Sequence, residues 1–190
     1  MRAFTGLLAV VLVAATHHAG SVRAEDQQVT WTSVVNATVD STGTILQKTG
    51  GCDGCTDAGA SSQQELPEGD GYVEFTVGEP GTIWAAGLSH GDEGVTFGDI
   101  DFGIRFNGAG IADVLENGVY QGGDRAYKPG DVFRVAVIDG RVRYFQNGVS
   151  IRESAKRPQY PLVLDVSLAT MGATLRDGKL QAPASRARGR

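Results

Sequence analysis

The sequence predicts an all-β protein, two antiparallel sheets packed as a sandwich or closed into a barrel. Three observations carry this. First, about ten to twelve short segments alternate apolar and polar residues at regular spacing. Second, Asn107-Gly108, Asn117-Gly118, Asp139-Gly140 and Asn147-Gly148 punctuate those segments, and 27 glycines make the chain rich in turns. Third, no segment sustains a helical period, so no crossover helix is on hand to join parallel strands.

Met1 to Ala24 has a short basic start, an apolar core from Leu7 to Ala15, and Val22-Arg23-Ala24 before an acidic stretch. This pattern is that of a secretory signal peptide cleaved after Ala24, which places the protein outside the cell. The apolar run is too short for the roughly 20 residues that cross a bilayer, and no other segment is a candidate span. One domain is expected over residues 25–178, with a flexible basic tail over 179–190. A domain of about 150 residues buries roughly 68–70% of its unfolded surface and needs no staples.

Val29, Trp31, Val35, Ala37 and Val39 alternate with polar residues in an opening strand, broken near Ser33. Asn36-Ala37-Thr38 fits the glycosylation sequon. A short second strand follows over Thr44 to Lys48. Ala58 to Gln64 is small and polar, and Leu66-Pro67-Glu68-Gly69-Asp70-Gly71 is a turn cluster. Tyr72 to Val77 places Val73, Phe75 and Val77 on one side and Tyr72, Glu74 and Thr76 on the other. Thr82 to Leu88 is a further strand, and Ser89 to Gly94 a polar loop. Ile100, Phe102, Ile104 and Phe106 then alternate with Asp99, Asp101, Gly103 and Arg105. Ile111 to Leu115 pairs back.

The clearest unit is Gly130 to Ile151. Asp139-Gly140 demands a two-residue hairpin turn, because both positions favour positive φ. Closing the loop there sets Val137 opposite Val142, Val135 opposite Tyr144, and Phe133 near Gln146, an almost wholly apolar face. The other face pairs Ile138 with Arg141, Ala136 with Arg143 and Arg134 with Phe145. Tyr160 to Ala169 is a last long strand, and Ala173 to Leu175 a short closing one.

The formal charge is −5, and it falls to −7 without the first 24 residues, which hold two arginines and no acid. An acidic domain without a basic stripe is not built for nucleic acid. Its one basic run is the C-terminal Ala-Ser-Arg-Ala-Arg-Gly-Arg, which reads as a frayed end.

Cys52 and Cys55 are the only cysteines, and in an exported chain they point to a disulfide closing a small loop. The redox reading lacks a helix or cations after the motif. A zinc site would need two further ligands, and His90 is the one histidine after residue 24.

Asp99, Asp101 and Arg105 sit at even spacing, which puts them on one face of a strand as a polar binding surface. His90, Asp92 and Glu93 lie in a glycine-rich loop with oxygen ligands for Ca²⁺, although without EF-hand spacing, and a solvated turn accounts for them as well. No cofactor is otherwise implied. Trp84 and Tyr72, Tyr120 and Tyr127 are stacking platforms for a sugar if exposed; tryptophans in a sandwich more commonly fill the core. No nucleophile elbow or phosphate loop is present.

Gly130-Asp131-Val132-Phe133-Arg134-Val135, continued by Tyr144-Phe145-Gln146-Asn147-Gly148, resembles the paired strands of concanavalin A-like sandwiches, SPRY domains among them. Gly87 to Ser89, Asp99 to Ile104, Lys48 to Gly51 and Asp57 to Ala60 resemble modules of bacterial secreted and surface proteins. The resemblance spans about Val29 to Arg176. It implies a concanavalin A-like jelly roll, and a lectin, a glucanase or a protein-interaction module. Sandwich glucanases carry alternating glutamates on one strand, whereas Asp99-Ile100-Asp101-Phe102-Gly103 has no glutamate and ends in glycine. The function expected is therefore a secreted, non-catalytic module that binds carbohydrate or a cell-surface glycan, with Trp84, His90, Asp92, Asp99, Asp101 and Arg105 as candidate ligand contacts. The alternatives are a SPRY-like protein-interaction module using Ser89–Phe97 and Gly122–Lys128, and a divergent glycoside hydrolase.

Overall fold

The computed structural model describes residues 26–78 and 80–183. The expected signal peptide lies outside the described residues, as does the tail from residue 184 onward. Every element among the described residues is a strand, and no helix is long and apolar enough to cross a membrane.

The strands are β1 (Gln27–Gln28), β2 (Trp31–Val35), β3 (Ala37–Val39), β4 (Ile45–Lys48), β5 (Ala58–Leu66), β6 (Gly71–Val77) and β7 (Trp84–Ser89), then β8 (Phe102–Phe106), β9 (Ile111–Glu116), β10 (Val119–Ala126), β11 (Val132–Ile138), β12 (Arg141–Gln146), β13 (Val149–Glu153), β14 (Leu162–Leu168) and β15 (Thr174–Gln181). They form two antiparallel sheets. Sheet A runs β13-β12-β11-β6-β15-β4-β3, with β1 beside β15; sheet B runs β10-β9-β8-β7-β14-β5-β2. The chain passes from sheet B to sheet A between β2 and β3, where Asn36 takes φ of 48° and its side-chain amide donates to the Asp57 carbonyl.

The β11–β12 hairpin has the expected register: Val137 pairs with Val142, Val135 with Tyr144 and Phe133 with Gln146. Asp139 and Gly140 both have positive φ, 53° and 69°, as a turn matched to strand twist requires. Phe133, Val135, Val137, Val142 and Tyr144 face the core and are buried. β6 alternates as read, with Val73, Phe75 and Val77 inward.

The core lies between the sheets. Trp84 stacks on Phe106 with centroids 4.1 Å apart, and Phe75, Tyr127 and Phe133 meet this pair edge-on. Trp84 is 0% exposed, so it fills the sandwich and cannot touch a ligand from solvent; the core role wins over the platform role.

Two segments differ from the sequence reading. Ala58–Leu66, to which the sequence pattern assigns no strand, is a nine-residue strand of sheet B. Its small residues obscure its period for a packing reason. A Cβ at Gly59 would lie 2.1 Å from the Val166 carbonyl oxygen and 3.3 Å from Val95, so only glycine fits beneath the His90–Asp99 segment. Gly122 to Ala126 belong to β10, an edge strand whose pairing with β9 shifts at two points, so Gly122–Lys128 is not a free loop. At the far end β15 runs to Gln181 and pairs with β1, which carries the folded part past the expected boundary at 178.

Cys52 and Cys55 form the expected disulfide. Its loop is pinned by Lys48, a lysine only 1% exposed, whose ammonium donates to the Cys55 carbonyl, an Asp57 carboxylate oxygen and the Leu168 carbonyl. Three acceptors for three donors are what a buried ammonium needs. The lysine hydrogen bond in turn holds the Asp57 carboxyl below its usual range.

Candidate functional site

Two recesses open on the sandwich, one on the outer face of sheet A and one at the end of sheet B. The first is a groove of about 1270 Å³. It is made by residues of four neighbouring strands, β12, β11, β6 and β15, and its position follows from period two: Tyr72, Glu74, Arg134, Ala136 and Ile138, which alternate with the inward Val73, Phe75, Phe133, Val135 and Val137, line it.

Antiparallel pairing sets Arg134 opposite Glu74 and Ala136 opposite Tyr72, and on the other side Arg134 opposite Phe145. Arg134 Nε donates to Glu74 Oε2 at 2.9 Å, and Nη2 donates to the same oxygen. The guanidinium carbon stands 3.8 Å from the Tyr72 ring centroid, a cation–π contact. Tyr72 in turn donates its hydroxyl to Asp26 at 2.6 Å. Burial, with Asp26 acting in the same direction, pushes the Tyr72 hydroxyl up to about 12, so it remains a neutral donor through the physiological range. Asp26, Tyr72, Arg134 and Glu74 thus form one chain of contacts that fixes a ring face and a charged pair. Phe145, Ile138 and Ala136 add apolar surface beside it, and Glu68, Asp70 and Gln181 add polar groups at one end.

The second recess is a polar cleft of about 300 Å³ lined by His90, Asp99, Asp101, Asn117, Lys156 and Arg157 among others. The His90 backbone donates to Asp101 Oδ2 at 2.9 Å, and Asn117 donates to Asp101 Oδ1 at 2.6 Å. Lys156 donates to Asn117 Oδ1 at 2.9 Å. His90 Nδ1 donates to the Pro161 carbonyl, which places its proton on that nitrogen.

Asp99 does not share a strand face with Asp101. β8 starts only at Phe102, and Asp99 sits in a turn whose amide donates to the Thr96 carbonyl. The two carboxylates accept from different loop amides, Asp99 from that of Gly94 and Asp101 from that of His90. Behind the cleft, Asp99, Asp92 and Asp165 bring one carboxylate oxygen each within 4.8 Å of one another. Ser61 donates to Asp92 and Ser89 to Asp165. Burial pushes the Asp165 carboxyl up to about 7, and burial also raises Asp99. Burial of Asp165 beside two further carboxylates favours a proton or a cation on it. These oxygens are the ones that suit Ca²⁺. Asp92 thus belongs to the acidic cluster, while His90 lines the cleft beside it.

Arg105 stands apart from both recesses. It pairs across β8 and β9 with Asp113 at 2.8 Å, and Arg105 Nε and Asp113 Oδ1 are buried without a partner. Of the tyrosines considered, Tyr127 and Tyr144 are buried, Tyr120 is exposed on β10, and Tyr72 alone lines a recess. The sheet A groove was the larger omission of the sequence reading. Its signal was present in the outward half of the β11–β12 and β6 alternations, Tyr72, Glu74, Arg134, Ile138 and Phe145, which is more aromatic and more charged than a plain wet face needs.

No family model matches the sequence, and no curated protein matches it either. Solved structures do. The chain is similar to the SPRY domain of human HERC1, with a TM-score of 0.50 and 14% identity over 79% of this chain and 94% of that one. It is similar to the PSpry domain of TRIM65, with a TM-score of 0.56 and 11% identity over 79% and 88%. It is similar also to the carbohydrate recognition domain of Emp46p, with a TM-score of 0.55 and 11% identity over 82% and 89%. At such identities the likeness is one of fold, and the fold is the concanavalin A-like β-sandwich.

Proposed function

We propose that this β-sandwich is a secreted, non-catalytic module that binds carbohydrate, as part of a cell-surface glycan, in the groove of sheet A. The observation that carries the reading is the Tyr72–Arg134–Glu74 ladder beside Phe145. A pyranose offers an apolar C–H face and a rim of hydroxyls. Phe145 and Ile138 answer the first, and Glu74, Gln181 and Asp70 the second. The groups are already held by one another, so little side-chain freedom is left to lose on binding. The carbohydrate recognition domain among the similar structures supports the ligand class, and the amino-terminal pattern supports export.

The test is a glycan array with the mature chain, with and without Ca²⁺. Binding to a defined set of glycans is expected, with affinity reduced about tenfold or more in Phe145→Ala, as loss of a stacking face predicts. Absence of binding to any glycan under both conditions refutes the reading. A second reading, a protein-interaction module, draws on the SPRY likeness and on the polar cleft of His90, Asp101, Asn117 and Lys156. Capture of a protein partner that survives its deglycosylation, and is lost in Lys156→Glu, would favour it. The hydrolase alternative drew on Asp99 and Asp101 sharing a strand face; both lie before β8, and both line the same cleft.

A further inference from the structure

We infer that the glycan held in the groove of sheet A is a cationic oligosaccharide, one whose sugars carry free ammonium groups. The inference rests on the glycan reading and names the class of sugar. Among the described residues that line the groove, Arg134 is the one cation, against Glu68, Asp70 and Glu74. Arg134 Nε and Nη2 both donate to one oxygen, Glu74 Oε2. Glu74 Oε1 accepts no hydrogen bond among the described residues, and it is not sealed from solvent. Glu68 and Asp70 flank the turn at Gly69, are exposed, and enter no ion pair among the described residues. Lys179, opposite Glu74 on β15, is no part of the lining and forms no ion pair with it.

The groove thus presents carboxylates in excess over a guanidinium that is already paired. A uronic acid or a sulfated sugar brings like charge to this surface, and like charge set against like charge selects against a ligand. A neutral sugar offers hydroxyls alone. An ammonium offers three donors that carry charge, to carboxylate oxygens that lack a donor. It is also the group that an aromatic face attracts, and Phe145 lines the same groove. The spacing calls for an oligomer. Asp70 and Glu74 stand roughly 13 Å apart along an extended chain at about 3.3 Å per residue, which is more than one pyranose ring. The volume of about 1270 Å³ likewise exceeds the roughly 300–1,000 Å³ of a site for one small ligand. Successive rings of an amino oligosaccharide therefore place one ammonium at Glu74 and another at the Glu68–Asp70 turn.

The experiment titrates the chain 25–190 calorimetrically at pH 6, where the amine is charged, with three tetramers: β-1,4-linked glucosamine, the same tetramer fully N-acetylated, and galacturonic acid. An exposed ion pair contributes up to about fivefold, so two or three together predict a preference of about tenfold or more for the glucosamine tetramer over the acetylated one. The galacturonic acid tetramer is expected to bind most weakly. In 1 M salt, where the Debye length falls to about 3 Å, the preference should collapse toward one. Glu68→Gln combined with Asp70→Asn should reduce it several-fold, with the thermal midpoint as the check that the fold is kept. A glucosamine tetramer that binds no tighter than the acetylated one overturns the inference. So does a preference that survives 1 M salt or stands undiminished in the double variant. Tetralysine binding as tightly as the glucosamine tetramer overturns it too, since charge without a sugar then suffices. Binding of other glycans on the array but not of the glucosamine tetramer removes this inference alone. A blank array removes the glycan reading and this inference with it.

Discussion

Asp165→Asn should make the protein more stable at alkaline pH. Asp165 is only 2% exposed, and burial pushes its carboxyl up to about 7 in the fold. In the unfolded chain the value is about 3.9. The folded state therefore holds the proton more tightly than the unfolded state. Stability from this group is full below about pH 4 and is lost as pH rises through 4 to 7. Three units at about 1.4 kcal/mol each make the full loss about 4 kcal/mol above pH 7, and about 2–3 kcal/mol of it falls between pH 5 and 8. Asparagine keeps the acceptor for Ser89 and gives Asp92 and Asp99 a neutral neighbour with a donor. Urea unfolding of both chains at pH 5 and pH 8 measures the difference directly. The gap in stability should move by about 2–3 kcal/mol in favour of the variant at pH 8. Asp40, Asp57 and Asp131, whose carboxyls are held low, titrate below this window and act equally in both chains. Parallel pH profiles, or a variant less stable at pH 8, would refute the reasoning. Ca²⁺ should raise the unfolding midpoint of the unmodified chain at pH 8 and leave that of the variant in place, since it substitutes for the missing proton.

Gly140→Val should cost about 1–3 kcal/mol, because a branched residue is forced to φ of 69°. An unchanged thermal midpoint would sink the turn assignment. Trp84→Ala should cost about 3–5 kcal/mol by emptying the centre of the aromatic cluster. The milder Trp84→Phe should leave glycan binding per folded molecule unchanged, and a binding loss in that variant with an unaltered melting curve would return Trp84 to the ligand site.

The architecture was readable wherever a segment had one wet side and one dry side. β6 and the β11–β12 hairpin alternate cleanly because sheet A is open to solvent outside. β5 was unreadable because both of its faces are covered, one by the core and the other by the His90–Asp99 segment, so small residues replace the alternation. β10 was missed because Gly122 and Gly123 bend its pairing. At the site, sequence spacing brought His90, Asp99 and Asp101 to notice, and they do share a cleft. Spacing also assigned Asp99, Asp101 and Arg105 to one face, which failed once the strand began at Phe102 and the carboxylates turned to cap loop amides.

Asp165 shows the limit most plainly. In the sequence it is a polar break in an apolar strand; in the fold it faces Asp92 and Asp99, which precede it by more than sixty positions. Local chemistry is written in the chain, since turn dihedrals, side-chain alternation and a cysteine pair close together are short-range matters. From these the sequence alone determined an all-β sandwich, the register of its central hairpin and its disulfide. The groove of sheet A, the buried acidic cluster and the burial of Trp84 depend on which strands lie side by side. That order, β12 to β11 to β6 to β15, joins residues far apart in the chain, and only the packing of one apolar face on another selects it.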